Sequence, residues 1–265
     1  MKQLLYSLLT VVCVLGTAAC MEIDNFDAPE AHVTGRLIDR TTGKNYITDH
    51  GDTHIRIWEM SYSLNPAPQS IPVKFDGSYN NERLFAGTYD MLPEDGPYWP
   101  ADTIRGVKIG KKTTTQDFEI IPYLHIIDFE ASLTERADSL TMSCRLSLPR
   151  IKITEEGEDG KMLERESIIF PPHNVLEVRP FLSLTMYCGS ANCIGEYGTN
   201  YRKNLRKDWT DAAIDPDGDG ISETYTITVP VKKGYTYNVR MGANMSDTHQ
   251  KFNYSEVKRI AVPNG

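Results

Sequence analysis

The sequence predicts an all-β chain built as two β-sandwiches. Short runs alternate apolar and polar residues with period two along most of its length. Turns rich in Gly, Asp and Pro punctuate these runs at close intervals. A single segment departs from the alternation. A chain of 265 residues accommodates one large domain or two ordinary ones.

In the first half, strands are expected at residues 33–39, 55–58, 71–75, 85–89, 107–109 and 116–121. Turns at 42–44, 76–77, 93–96 and 110–112 separate them. About seven short strands in roughly 95 residues indicate a sandwich. Pro122 and Tyr123 mark the boundary, so the first domain is read as 31–123 and the second as 124–265.

The second series opens with residues 124–130 and 139–148. Alternation in the latter puts Leu140, Met142, Cys144, Leu146 and Leu148 on one face. Residues 151–155, 167–170, 181–187, 225–231, 235–241 and 257–262 supply further strands, and the acidic stretch 155–160 a hairpin tip or surface loop. Residues 200–213 are the exception. Tyr201, Leu205 and Trp209 recur at i, i+4, i+8, which permits a short amphipathic helix capped by Asn200. A long ordered loop fits equally well.

The N-terminus reads as a targeting segment. Lys2 precedes an apolar run over 4–16, shorter than the roughly 20 residues of a membrane span. Thr17, Ala18, Ala19 and Cys20 then resemble a bacterial lipobox, with Thr17 where Leu is usual. Residues 1–19 are therefore expected to be a lipoprotein signal peptide and Cys20 the lipidated residue that anchors the chain to a membrane. Residues 20–30 form an acidic tether, in which Glu22, Asp24 and Asp27 resemble the signal that sends Bacteroidota lipoproteins to the cell exterior. A plain acidic tether is the other reading. The expected location is the outer membrane, lipid-anchored and facing outward.

A net charge of −8 argues against nucleic acid as a partner, because a phosphate-binding face needs clustered Lys and Arg. The sequence contains no G-x-S-x-G, H-E-x-x-H, P-loop or dinucleotide fingerprint, and the expectation is a non-enzymatic protein with no catalytic residues. The sharpest motif is Asp215, Asp217 and Asp219 followed by Gly220, with Ile221 and Glu223 beyond. That spacing presents hard oxygen ligands on a tight turn, so a structural Ca²⁺ loop is one reading and an Asp/Gly-rich turn entering a strand the other. Trp58, Tyr98, Trp99 and Trp209 are candidate glycan platforms, since sugar C–H faces stack on flat rings; core packing is the alternative for each. Cys188 and Cys193 could close a small disulfide loop. His50 and His54, beside Asp49 and Asp52, read as solvated loop residues.

Val33-Thr-Gly-Arg-Leu-Ile-Asp with Thr42-Gly-Lys, and Asp76-Gly-Ser-Tyr with Leu84-Phe-Ala-Gly-Thr-Tyr, resemble carboxypeptidase-regulatory-like domains, which have a transthyretin-like sandwich. Together with Asp24-Asn-Phe-Asp-Ala-Pro, Gly96-Pro-Tyr-Trp-Pro and Ile121-Pro-Tyr-Leu, they resemble an uncharacterised two-domain lipoprotein family of Bacteroidota whose second half is immunoglobulin-like. That resemblance implies association with starch-utilisation-type uptake systems. The implied role is glycan binding, or an accessory part beside an outer-membrane transporter and a glycan-binding lipoprotein. A structural or adhesive, fimbrial-type lipoprotein is the alternative. The resemblance supplies no site residues.

Overall fold

A computed structural model describes residues 28–156 and 161–264. The expected signal peptide, Cys20 and residues 21–27 of the expected tether lie outside the described residues.

The first half is a sandwich of two four-stranded sheets. In one, β1 (Ala31–Asp39) pairs antiparallel with β4 (Ser78–Leu84) and parallel with β7 (Thr114–Thr115) and β8 (Phe118–Ile120). In the other, β3 (Gln69–Pro72), β2 (His54–Glu59), β5 (Gly87–Glu94) and β6 (Ile104–Ile109) lie in that order. Every second residue of β1 from Ala31 to Asp39 is buried. Leu37, Ile55, Ile57, Tyr79, Tyr89 and Met91 close the core between the sheets. Gly35 lets the chain after β7 cross close by, since a Cβ there would stand 1.8 Å from the Gln116 carbonyl oxygen.

The second half faces the sheet β15-β10-β9 against a second sheet. The strands of the first are β9 (His125–Leu133), β10 (Ser139–Ser147) and β15 (Tyr225–Pro230). The other orders β14 (Lys203–Lys207), β13 (Val175–Ser183), β16 (Thr236–Met245) and β17 (Phe252–Tyr254), with β18 (Lys258–Ala261) also on β16. Leu140, Met142, Cys144, Leu146 and Leu148 all enter this core, as their alternation predicts. Burial without a charged neighbour pushes the Cys144 thiol up to about 12. A two-stranded hairpin, β11 (Arg150–Glu156) and β12 (Met162–Ile168), stands off the body with mostly exposed residues. Arg165–Glu155 at 3.2 Å and Lys152–Glu164 at 3.8 Å tie its strands together.

Several elements differ from the sequence reading; the strand expected at 181–187, for one, is β13 at Val175–Ser183. β4 follows the expected turn at 76–77 where no strand was expected, and the strand expected at 85–89 begins at Gly87 as β5. β4 is a sheet edge that buries only Tyr79 and Leu84, so Asn80, Asn81, Glu82 and Arg83 hide its period. The helix considered at 200–213 is also not there. The short helix α1 (Gly195–Asn200) ends where it was to begin, and β14 follows. Tyr201 and Leu205 still pack against the second core and Trp209 lies within it. A spacing of four is twice the strand period, so an extended path puts these residues on one side as well as a helix does.

Between the sandwiches the chain is riveted. Trp99 N–H donates to Ile121 O at 2.8 Å and Tyr123 N–H to Pro97 O at 3.0 Å. The two consecutive rings then diverge: Tyr98 enters the first core, while Trp99 packs against the second.

Candidate functional site

The face of β14-β13-β16-β17 turned away from its own core meets the first sandwich. Phe181 of β13, Phe252 and Tyr254 of β17 and Cys188 form a small apolar cluster there. Arg240 of β16 lies beside it, 1% exposed, with its guanidinium 3.7 Å from the Tyr254 ring centroid. Burying that charge is costly unless it is paired and hydrogen-bonded. The loop between β1 and β2 answers it: Arg240 Nη1 donates to Thr48 O at 3.0 Å, and Nη2 lies 3.8 Å from Asp49 Oδ1.

Asp49 and Asp52 complete a latch between the halves. Ala191 N–H donates to Asp49 Oδ2 at 3.0 Å and Asn192 Nδ2 to Asp49 Oδ1 at 3.1 Å. Asp52 accepts from Ser190 Oγ, Lys251 Nζ and Tyr254 Oη at 3.0, 3.0 and 3.1 Å. Burial first, then the Asp52 charge, raises the Tyr254 hydroxyl well above its ordinary value. The loops touch so closely that a Cβ on Gly189 would meet Arg240 Nη2 and Asp49 Cγ at 2.4 Å. Asp49 and Asp52 are thus buried, not the solvated loop residues expected from Gly51 and their polar neighbours.

An aromatic rim borders the latch. Tyr187, in the loop after β13, has its ring 5.5 Å from His50 and 5.7 Å from Phe75. His50 and Tyr187 are exposed and Phe75 half-buried, with Leu184 and Met186 exposed in the same loop as Tyr187. Both halves of the chain build this patch: His50 and Phe75 come from the first and Tyr187 from the second. The sequence reading missed it because these three residues are far apart in the chain and lie outside regular strands.

The residues nominated from sequence have other places. Tyr98 is buried, edge-on to Tyr46 at 5.8 Å, and its hydroxyl donates to Glu94 O at 3.1 Å. Trp209 is 1% exposed in the second core. Trp99 is half-buried at the joint, edge-on to Tyr123 at 6.0 Å. Tyr98 and Trp209 offer no ring face to solvent, because each fills a core, and Trp99 is partly covered where it packs against the second core. Trp58 is half-buried on the outward side of β2, alternating with buried Ile55 and Ile57.

The Asp-rich loop closes on itself. Asp215 caps the N–H groups of Asp219 and Gly220 at 3.1 and 2.8 Å, and Asp219 caps that of Ile221 at 2.9 Å. Asp217 and Glu223 stand exposed. Among the described residues no group of three or more His, Cys, Asp or Glu converges as a metal site, so the expected calcium ligands are not brought together. The expected disulfide is corrected too: Cys188 and Cys193 are free. Cys188 Sγ faces the Phe181 and Asn238 carbonyls at 3.4 and 3.3 Å, whereas Cys193 Sγ lies 3.9 Å from Ser190 O. Burial pushes the Cys188 thiol up to about 12, away from reactive thiolate.

A further cleft of about 350 Å³ holds Asp39 and His125 across the joint. His125 Nε2 lies 2.7 Å from Asp39 Oδ2 and 3.5 Å from Thr41 Oγ1. Both contacts use one ring nitrogen, so the trio is no proton relay, in which carboxylate and nucleophile must occupy opposite nitrogens. Burial opposes ionisation of Asp39, but hydrogen bonds from His125 and Thr41 outweigh it and hold the carboxyl at about 2.

This is a two-sandwich protein with a polar latch and an aromatic rim at its seam. Residues 31–121 match the family model of the DUF3823 N-terminal domain, a protein family of unknown function. Solved structures share the fold across the chain. A DUF3823 family protein from Bacteroides uniformis aligns at TM-score 0.65 with 19% identity, covering 89% of this chain and 100% of that one. One from Parabacteroides merdae aligns at 0.59 with 20% identity, covering 88% and 100%. A second Bacteroides uniformis structure, described as a "putative carbohydrate binding protein", aligns at 0.63 with 20% identity, covering 88% and 99%. No curated protein matches the chain.

Proposed function

We propose that the protein is a non-enzymatic lipoprotein of the outer membrane, facing the exterior and anchored through Cys20. On this reading it binds glycan as an accessory part of a polysaccharide-uptake system, beside an outer-membrane transporter and its glycan-binding lipoprotein. The observation that carries the reading is the rim of exposed Tyr187 and His50 with half-buried Phe75. Aromatic faces beside polar groups are what a sugar ring stacks on. The Bacteroides uniformis structure described as carbohydrate binding points the same way, though it shares only its fold with this chain.

Affinity electrophoresis through gels containing a panel of polysaccharides tests this. The wild-type chain is expected to be retarded by at least one glycan, and Tyr187→Ala to lose most of that retardation. Free migration of the wild type across the panel, or equal retardation of both proteins, would remove the rim from the reading.

A further inference from the structure

The first sandwich has two poles, and the second sandwich covers one of them. There Asp39, Asp49, Asp52 and Pro97 meet His125, Ala191, Lys251 and Asn253. β1 runs nine residues up to that joint, so the other pole lies roughly 27 Å away at about 3.4 Å per residue. The register places four segments at this free pole. Ala31 pairs with Leu84 and Gly87 with Ile109, His32 N–H donates to Gly110 O at 3.2 Å, and Met60 N–H donates to Thr88 O at 2.8 Å. The described chain thus enters the fold beside the connections at 60–68, 84–87 and 109–112.

The tips of this pole are apolar. Leu64 is 98% exposed and Tyr62 74%, and Met60 and Phe85 are exposed at the same end. The loop that carries Tyr62 and Leu64 is held in place: Thr88 N–H donates to Ser61 Oγ at 3.1 Å, and Pro66 and Pro68 stiffen its return to β3. Arg83, Lys108 and Lys112 stand exposed around the tips without an ion pair among the described residues. Lys111 lies 3.3 Å from Glu30, and Glu82 is exposed as well.

Protruding apolar tips among long cationic side chains suit a bilayer interface. Leucine and aromatic rings enter the boundary layer while Lys and Arg extend their charges to headgroups. Where the chain begins supplies an independent argument. Cys20 precedes Ala28 by eight residues, which span at most about 29 Å at 3.6 Å per residue. A lipid on Cys20 therefore keeps this pole, not the joint, next to the membrane and at high effective concentration. Glu22, Asp24 and Asp27 in the intervening stretch offset the cations, so apolar contact rather than charge drives the docking. A protein partner fits less well, because a stable interface needs about 1,000 Å² of complementary surface and this pole presents loop tips.

We propose that the free pole of the first sandwich docks on the surface of a lipid bilayer through Tyr62, Leu64 and Phe85. The proposal rests on the lipid anchor of the functional reading but uses no residue of the rim. It gives the molecule an orientation. Phe75 and His50 of the rim lie at the joint, where Thr48 N–H donates to Phe75 O at 3.2 Å, so docking turns the rim away from the membrane.

Fluorescence of the full chain, reconstituted into phosphatidylcholine vesicles that contain a nitroxide-bearing lipid, tests it. A nitrobenzoxadiazole label is attached at Leu64→Cys or, as a control, at Leu163→Cys on the β11–β12 hairpin. Each carries Cys193→Ser, and the buried Cys144 and Cys188 escape labelling. The nitroxide should quench the label at position 64 at least about three-fold more than at 163, and about 0.5 M salt should not change this. Tyr62→Ser with Phe85→Ser, both exposed, should lower quenching at position 64 about two-fold or more without moving the Tm. Equal quenching at both positions, with Cys20 shown by mass spectrometry to carry lipid, would overturn the docking alone. Cys20 without lipid would reject anchor and docking together. Quenching lost in salt would replace apolar docking by charge attraction and overturn the proposal. A label shielded in native outer-membrane vesicles but not in pure lipid would give the pole to a protein and overturn it too.

Discussion

One sheet face carries the same ingredients at both ends, an arginine over an aromatic ring beside a carboxylate. At the covered end Arg240 lies 3.7 Å from the Tyr254 centroid and meets Asp49. At the open end Arg179 lies 5.0 Å from the Phe252 centroid and meets Glu177. Residues 48–52 of the first sandwich close the first end, and Asp49 and Asp52 accept hydrogen bonds from the second. Nothing described closes the second end, and Asn244 Oδ1 is left without a donor. The difference teaches that similar chemistry becomes a joint where a neighbour covers it and stays open to solvent where none does.

Substitutions can break this contrast. Asp49→Ala leaves Arg240 buried without its counter-charge, and breaking a buried pair from one side costs about 3–5 kcal/mol. Urea denaturation should show that loss, and a change under 1 kcal/mol would mean that the latch contributes little. Asp39→Asn probes the other polar contact across the joint. The folded Asp39 carboxyl at about 2 lies below its ordinary 3.8, which corresponds to about 2 kcal/mol of stability at neutral pH. That contribution is complete above the ordinary value and fades as pH falls towards about 2. The mutant should thus be weaker than wild type at pH 7 and converge with it near pH 2. A gap that persists in acid would assign the effect to packing. Arg206→Gln should change stability by less than about 0.5 kcal/mol, because it removes an exposed side chain with no ion pair. A larger loss would mark the open end as structural after all.

The sandwiches were legible because most of their strands alternate cleanly, as β1 and β10 do, and a buried face imposes that period. Polar edge strands such as β4 gave no such signal. The site was far less legible. Tyr98, Trp99 and Trp209 looked like platforms, since type and neighbours do not show which ring faces a core. Asp49 looked solvated because its partners Ala191, Asn192 and Arg240 follow more than 140 positions later. Arg202, Asn204 and Arg206 alternate visibly, yet only the pairing of β13 with β14 and β16 brings Glu177 and Asn244 beside them.

The long spacing of the latch also bears on how the chain comes together. Asp49 and Ala191 are 142 positions apart, and Asp52 and Tyr254 are 202. A chain that emerges N-terminus first completes the β1–β8 pairing before any of these partners exists. During that interval the loop that carries Asp49 and Asp52 shows water two carboxylates, which water solvates well. Writing part of the joint in charge keeps that part of the surface at ease in water until the second sandwich arrives.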